Sequence, residues 1–553
     1  MEELIDVALG NSKAEKVIKN VNILSTVTGD IVKGDIAIEN GIIAGAYDQY
    51  DGIDVIDGEG LYAVPGFIDC HCHIESSMMT PYEFERCVLP TGTTTAVCDP
   101  SGLCNVCGEK ALKYFLDAAP KLTMDLQVAL SSCVPATHME TSGAELTADT
   151  LKKYADYNNH VAGLGEIDYR GVLDKDAEVM KKMALCYHID GHAPMLGGKE
   201  LNAYISNSIF NDHEVTSAKE ALEKLRKGMY VFMREGTLYK DLKNFYSLLN
   251  EYNSIHMALC SADRSCCDII NDGHINYMIK KMIKNGVKPH IAYRTASLSG
   301  AMAFGFYDRG IIAPGKRADI VLVSNLEKVA VETVIANGRI VDDTVFINND
   351  AKEYKFALNT VKIKTISKDS FAIDNEEAKN HVIGIVQDKI VTEHLSVKDL
   401  NKEKDLAKVC VFNRYGKNGN IAKAYLKGLK FVEKNIAVAS TVAYNSHNLC
   451  VIGDNDEDMA VAADAVVKMN GGMVLVSNGK VLNSLALPVG GLMSEKSYED
   501  LYKNINSLKQ RTRKFISGTG DIFLQMAYLS LVSIPHLKIT DMGLIDVDES
   551  QFV

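Results

Sequence analysis

The chain is 553 residues long, 47% apolar and 24% charged, with a formal net charge of -13. At roughly 100–200 residues per domain this predicts about three folded domains and excludes a disordered polymer. The acidic balance argues against nucleic acid or an anionic membrane surface as a partner, and favours a small-molecule substrate.

The N-terminal text Met1-Glu2-Glu3-Leu4-Ile5-Asp6 lacks the basic start and apolar run of a secretory leader. No uncharged apolar stretch approaches the roughly 18 residues of a membrane span. Thirteen cysteines, an odd number scattered along the chain, read as reduced thiols of a cytoplasmic protein. Residues 14–64 alternate β-rich runs with turns: Val21–Leu24, Gly34–Ile38 and Gly41–Ala44, with Asn40-Gly41 as a hairpin turn. The same grammar returns at Ala318–Val323 and Val334–Val341, so one small β-domain built from both stretches is expected. Between them, short apolar runs alternate with amphipathic stretches. Ser217–Lys227 reads as a helix with Ala221, Leu222 and Leu225 on one face, followed by a strand at Met229–Met233. Repeated βα units predict a parallel sheet, open or closed, and a length of about 240 residues suits a (β/α)8 barrel. The polar stretch 349–365 reads as a linker. Beyond it lies a mixture of strands and helices that includes a hairpin at Gly471–Lys480.

The strongest local signal is Pro65-Gly66-Phe67-Ile68-Asp69-Cys70-His71-Cys72-His73-Ile74-Glu75. On a strand, His71 and His73 point to the same face, and neutral imidazole is the commonest ligand for divalent transition metals. The C-terminal end of a first barrel strand is where such ligands belong. Glu166, His192, His213 and Asp263 follow, each at the end of a short apolar run, at intervals suited to successive βα units. Each alone has a bland reading as a polar surface residue; together they describe a metal-hydrolase site. A second zinc pattern, His73-x-Glu75 with Cys104-x-x-Cys107, lacks the Pro that should precede the first Cys, where Leu103 stands.

These stretches resemble the adenine deaminase family of the amidohydrolase superfamily. The matching text includes Pro65–Pro81, Thr91–Thr95, Gly163–Glu166, Asp190–Pro194, Asp212–Glu214, Arg234–Gly236, Gly273–Ile275 and Ile312–Asp319. It continues in Ser446–Asn448, Gly453–Asp456 and Leu487–Met493, so the resemblance spans nearly the whole chain. It implies a (β/α)8 TIM-type barrel over 65–308, a composite β-domain from 1–64 with 309–348, and a C-terminal α+β domain over 360–553. It also implies two divalent metals, manganese or iron, and a homo-oligomer in purine salvage. His71 and His73 would bind one metal, Glu166 would bridge the pair, and His192 and His213 would hold the second. The activated water would then attack C6 of adenine, and a barrel carboxylate would carry the proton to the departing ammonia. Asp263 and Glu166 are the catalytic acids this assigns, and Asp263 a further metal ligand. Ser76, Ser77, Arg234 and Glu235 are candidates to line the substrate pocket or to support it from behind.

Four places depart from the family text. Thr-Asp-Asp-Arg is Ser261-Ala262-Asp263-Arg264, and Asp-Pro-His-Glu is Asp99-Pro100-Ser101-Gly102. Glu-Arg-His is Asn413-Arg414-Tyr415, and His-Asp-Ser-His-Asn is Tyr444-Asn445-Ser446-His447-Asn448. All four remove acids or histidines. Two further readings therefore stand beside adenine deamination: a paralogue that binds or regulates without turnover, and a hydrolase of another purine or cyclic amide.

Overall fold

A computed structural model describes residues 2–346 and 353–553, apart from 365, 374–377, 379 and 388. Part of the polar stretch 349–365 therefore lies outside the described residues; its described part includes a 3-10 helix at Glu353–Ala357.

Five N-terminal strands, β1 (Ala14–Leu24), β2 (Ile31–Glu39), β3 (Ile42–Ala46), β4 (Gly52–Asp57) and β5 (Tyr62–Pro65), share one sheet with three much later ones. The chain leaves this sheet after β5 to build the barrel, whose eight strands are β6 (Phe67–Cys72), β7 (Thr93–Cys98), β8 (Asp125–Leu130), β9 (Val161–Asp168), β10 (Ile189–His192), β11 (Asn211–Asp212), β12 (Tyr230–Arg234) and β13 (Met257–Cys260). It returns as β14 (Ile320–Val323), β15 (Val331–Ala336) and β16 (Arg339–Ile340), with β14 antiparallel to β5. The Asn40-Gly41 and Asn337-Gly338 turns both take positive φ at both residues, the type I′ geometry whose twist suits a two-residue hairpin.

In the barrel, β6 to β10 form one parallel sheet and β11 to β13 another. They meet where Cys72 bridges Ala262: Ala262 N donates to His71 O and His73 N donates to Ala262 O, both at 2.9 Å. On the other side, among the described residues, β10 and β11 form no ladder; Gly191 N donates to Asn211 Oδ1 at 2.9 Å instead. The result is a (β/α)8 barrel. β6, β7, β8 and β13 are buried along their whole length, as strands covered on both faces must be. The helix expected near Ser217 spans Ala218–Arg226, and the Ser217 side chain accepts from Glu220 N.

The C-terminal part is an α+β unit. Its eight-stranded sheet runs, in spatial order, Thr392–Leu395, Val382–Ile385, Ile421–Lys427, Leu406–Phe412, Leu449–Gly453, Ile436–Ser440, Gly472–Ser477 and Lys480–Ala486. The helix Asp456–Lys468 lies on it, burying Met459, Ala462, Ala463 and Val466 at helical spacing against Ala437, Val451 and Val474. This unit packs on the barrel loops through Ser494 N to Met78 O at 2.9 Å, Thr141 N to Asp541 Oδ1 at 2.9 Å and Lys417 Nζ to Ser142 O at 2.8 Å.

Candidate metal centre

Strand alternation puts Asp69, His71 and His73 on one face of β6 and its exit. His71 Nδ1 meets Asp190 Oδ2 at 2.7 Å, and His73 Nδ1 meets Asp99 O at 2.8 Å. Each outer nitrogen thus carries the proton, which leaves a lone pair on each inner Nε2, and these two lie 3.2 Å apart. Glu166, near the end of β9, places Oε2 3.2 Å from His192 Nδ1 and 3.2 Å from His213 Nε2. The His71 and His213 rings stack with centroids 3.7 Å apart.

Two groups of ligand atoms gather here within 4.8 Å of one another, His71–His73–Glu166 and Glu166–His192–His213; His71–Asp190–His213 forms a third. The first two share Glu166. Four imidazole nitrogens converge with one shared carboxylate, and the outer nitrogens of His71 and His73 are already engaged by Asp190 and Asp99, so the donor set fits a pair of divalent cations. Electrostatics agree. Burial works against the charged form of His213, yet Asp190 and Glu166 push it well above its usual value. Burial likewise opposes charge on His192, but its bond to Glu166 raises it to about 9. Glu166, despite burial, is held well below the carboxylate range by His192 and His213. The cluster demands positive charge, which protons supply when metal does not.

Asp263, expected as metal ligand and catalytic acid, is not among the grouped ligand atoms. Its Oδ2 accepts from Tyr528 OH at 2.6 Å and its Oδ1 from Thr237 N at 3.3 Å. The ladder to His71 and His73 places residue 262, not 263, beside the ligands, and there stands an alanine at φ +50°. Glu235, a candidate to line the pocket or support it from behind, is buried and ion-paired with Lys281 on the helix Ile275–Lys284. Ser77 is buried and closes its own turn, donating to Ile74 O at 2.6 Å. Arg234 is buried, pairs with Glu214 and with Asp241 at 2.9 Å, and packs on the Tyr239 ring at 3.9 Å. It acts on the site through Glu214, whose Oε1 is 4.0 Å from His213 Nε2. Ser76 is half-buried and accepts from Tyr444 OH at 3.2 Å. Cys104 and Cys107 lie on the helix Ser101–Cys107 and belong to none of the potential metal groups among the described residues.

Several site residues escape sequence reasoning. Asp190 stands two before His192 on β10 and Asp69 two before His71 on β6, so an Asp-x-His spacing within a strand is the signal that finds them. Asp69 receives Ser261 N at 2.9 Å and fixes the end of β13. Glu75 is buried, accepts from Leu103 N at 3.0 Å and leaves Oε2 without a hydrogen-bond partner. A Cβ on Gly102 would lie 3.0 Å from both Glu75 Cγ and His447 Nε2, so these groups fill the space that a larger side chain would need.

Known proteins are similar to this chain at two levels. Residues 62–341 match the amidohydrolase family, and residues 385–551 match the adenine deaminase C-terminal domain. Over its whole length the chain is similar to an adenine deaminase of Brucella anthropi, 46% identical over 565 residues with 100% of both chains covered. Another similar protein, from Gluconobacter oxydans and also named adenine deaminase, is 46% identical with 98% of each chain covered. Adenine deaminase 1 of Rhizobium meliloti is 44% identical, with 100% of this chain and 99% of that one covered. Among solved structures, a crystal structure of an adenine deaminase aligns with TM-score 0.43 at 15% identity, covering 60% of this chain and 100% of that one.

Proposed function

Because the chain belongs to the adenine deaminase family, we propose that it hydrolyses adenine to hypoxanthine and ammonia. The observation that carries this reading is the pair of ligand triads sharing Glu166. His71, His73 and Glu166 would hold one divalent cation, and Glu166, His192 and His213 the other, manganese being the first choice and iron(II) the second. When bound, such cations bring the pKa of water down to about 7 and so supply hydroxide at neutral pH.

The protein's own groups then have three tasks. Asp190 and the Asp99 carbonyl hold His71 and His73 in the tautomer that offers Nε2 inward. Glu214, held by Arg234, borders His213 with a fixed negative charge. A carboxyl group must also hold a proton and release it to the departing exocyclic nitrogen. Ala262 supplies none. Glu75 sits two residues beyond His73, burial raises its carboxyl, and its Oε2 is free to hold that proton. Replacing Glu75 by Gln should lower kcat by about 100-fold or more with metal content unchanged; an unaltered kcat would remove Glu75 from the reaction.

Protein loaded with manganese and given adenine should release hypoxanthine and ammonia in equal amounts. Metal bound in two equivalents without turnover would instead support a second reading, a paralogue that binds without reacting. Ala262 beside the ligands, in place of an acid, is the observation that favours it. Thirteen free cysteines support a cytoplasmic place for the protein, and purine salvage is the use that fits the product. No helix among the described residues is long and apolar enough to cross a membrane.

A further inference from the structure

The metal centre is open on one side. The side chains of His71 and His213 are each 2% exposed, whereas those of Glu166, His192 and Glu214 are 19%, 21% and 17% exposed. Of these three, Glu214 alone belongs to none of the potential metal groups among the described residues. Its Oε1 nevertheless stands 4.0 Å from His213 Nε2, the nitrogen that faces Glu166. Arg234 fixes it there. The buried guanidinium pairs with Glu214 Oε1, donates to Asp241 Oδ2 at 2.9 Å and lies 3.9 Å from the centre of the Tyr239 ring. Held by two acids and a ring, it leaves the carboxylate little freedom to turn. Arg234 occupies Oε1; among the described residues no hydrogen bond engages Oε2. A carboxylate oxygen only accepts, so the partner that Oε2 calls for is a donor.

We propose that Glu214 selects the substrate: its Oε2 accepts the N–H at N7 of a free purine base, so that bases are taken and purines substituted at N9, nucleosides included, are refused. This rests on the adenine reading above. N7 is separated from the reacting C6 by one carbon, so a carboxylate beside the same ligands is suited to it. The exocyclic amine is the poorer partner, because it must gain a proton to leave and a neighbouring anion opposes that. A purine substituted at N9 keeps a bare lone pair at N7. That lone pair would face an oxygen that can only accept, and a site built to bond an N–H rejects an analogue without one by orders of magnitude. Glu214 touches the substrate; Arg234 is a positioning residue.

The test uses the full manganese-loaded chain, with adenine and 9-methyladenine as probes. The wild-type protein should favour adenine by at least about 100-fold in kcat/KM. The amide of Glu214→Gln can turn its NH2 toward a lone pair. That variant should lose about 10- to 100-fold on adenine and narrow the ratio between the probes by at least about tenfold, with two metals still bound. Arg234→Lys keeps the charge without the fork and should narrow the ratio by a smaller factor. An unchanged ratio in Glu214→Gln would overturn the proposal, and so would loss of a cation, which would make Glu214 a ligand. Equilibrium dialysis of the two probes against the wild-type protein needs no variant to fold. There, 9-methyladenine bound as tightly as adenine would also overturn it. Wild-type protein that prefers adenine in dialysis but releases no hypoxanthine would sink the deaminase reading and leave the role of Glu214 standing. Neither binding nor turnover of either probe would sink both.

Discussion

Ala262 sits at φ +50°, a left-handed conformation that costs an alanine about 1 kcal/mol and that Asn and Asp tolerate far better. The backbone there has a shape that suits Gly, Asn or Asp, irrespective of charge. Two substitutions separate shape from charge. Ala262→Asn should raise stability by about 0.5–1 kcal/mol and leave turnover alone, measured by urea unfolding. Ala262→Asp should give the same stability and also raise both metal affinity and kcat; equal kcat in the two variants would mean that no carboxylate is needed there. At the neighbouring ligands, His192 holds its proton up to about 9 while Glu166 faces it without metal. Below that pH a cation must displace the proton, so apparent metal affinity should climb by up to about tenfold per pH unit for each proton displaced and level off above about 9. Calorimetry in buffers of different ionisation enthalpy reads the proton release directly, and none at pH 7 would contradict it. His71, His73, Glu166, His192 and His213 stand out in the sequence because rare residue types recur at the ends of apolar runs, and the fold brings their ligand atoms into two groups that share Glu166. Asp263 is ambiguous in the text because two adjacent acids in the related pattern are reduced to one, and only the backbone bonds of Ala262 to His71 and His73 reveal which neighbour lies beside them.

At the level of elements, the helix Ala218–Arg226 shows what periodicity misses. Its apolar positions were legible, but Lys224 reads as a solvent-facing residue and is fully buried. Its Nζ donates to Ala193 O and Glu220 Oε1, each at 2.6 Å, and pairs with Asp212. Ala193 follows His192 and Asp212 precedes His213, so one ammonium fixes the backbone beside two ligands. Lys224→Met would strand Asp212 in the interior. It should cost about 3–5 kcal/mol of stability and weaken the cation held by His192 and His213 more than the other, read as metal content after dialysis. Equal loss of both cations would assign Lys224 to stability alone. The strand β11 is two residues long, too short for any alternation to announce it. The Asn-Gly hairpins were legible for the opposite reason: the turn chemistry is local and needs no partner.

At the scale of the whole molecule, the C-terminal unit is held together internally by a buried lysine. Lys538 donates to Ile390 O at 2.8 Å and Tyr528 O at 3.1 Å, and burial pushes its amine down to about 7. An unfolded lysine titrates near 10.4. Between those values the unfolded chain holds one more proton than the folded one, so this group makes stability rise with pH across that window. Urea midpoints at pH 7.5 and 9.5 should therefore differ in that direction, and Lys538→Met should flatten the difference. The existence of the C-terminal unit was legible from motif text, but its contacts with Ser76 and Asp263 join residues hundreds of positions apart and leave no local trace. Among the described residues the barrel strands form two ladders, joined on one seam by a single bridge at Cys72–Ala262 and on the other, where β10 meets β11, by the side-chain bond of Asn211. The β10–β11 seam is the one without a backbone bridge among the described residues, and His192 and His213 stand on its two lips. The cation between them should escape into a chelator sooner than its neighbour gripped by a single strand, so washout should run in two phases with the faster one belonging to that side.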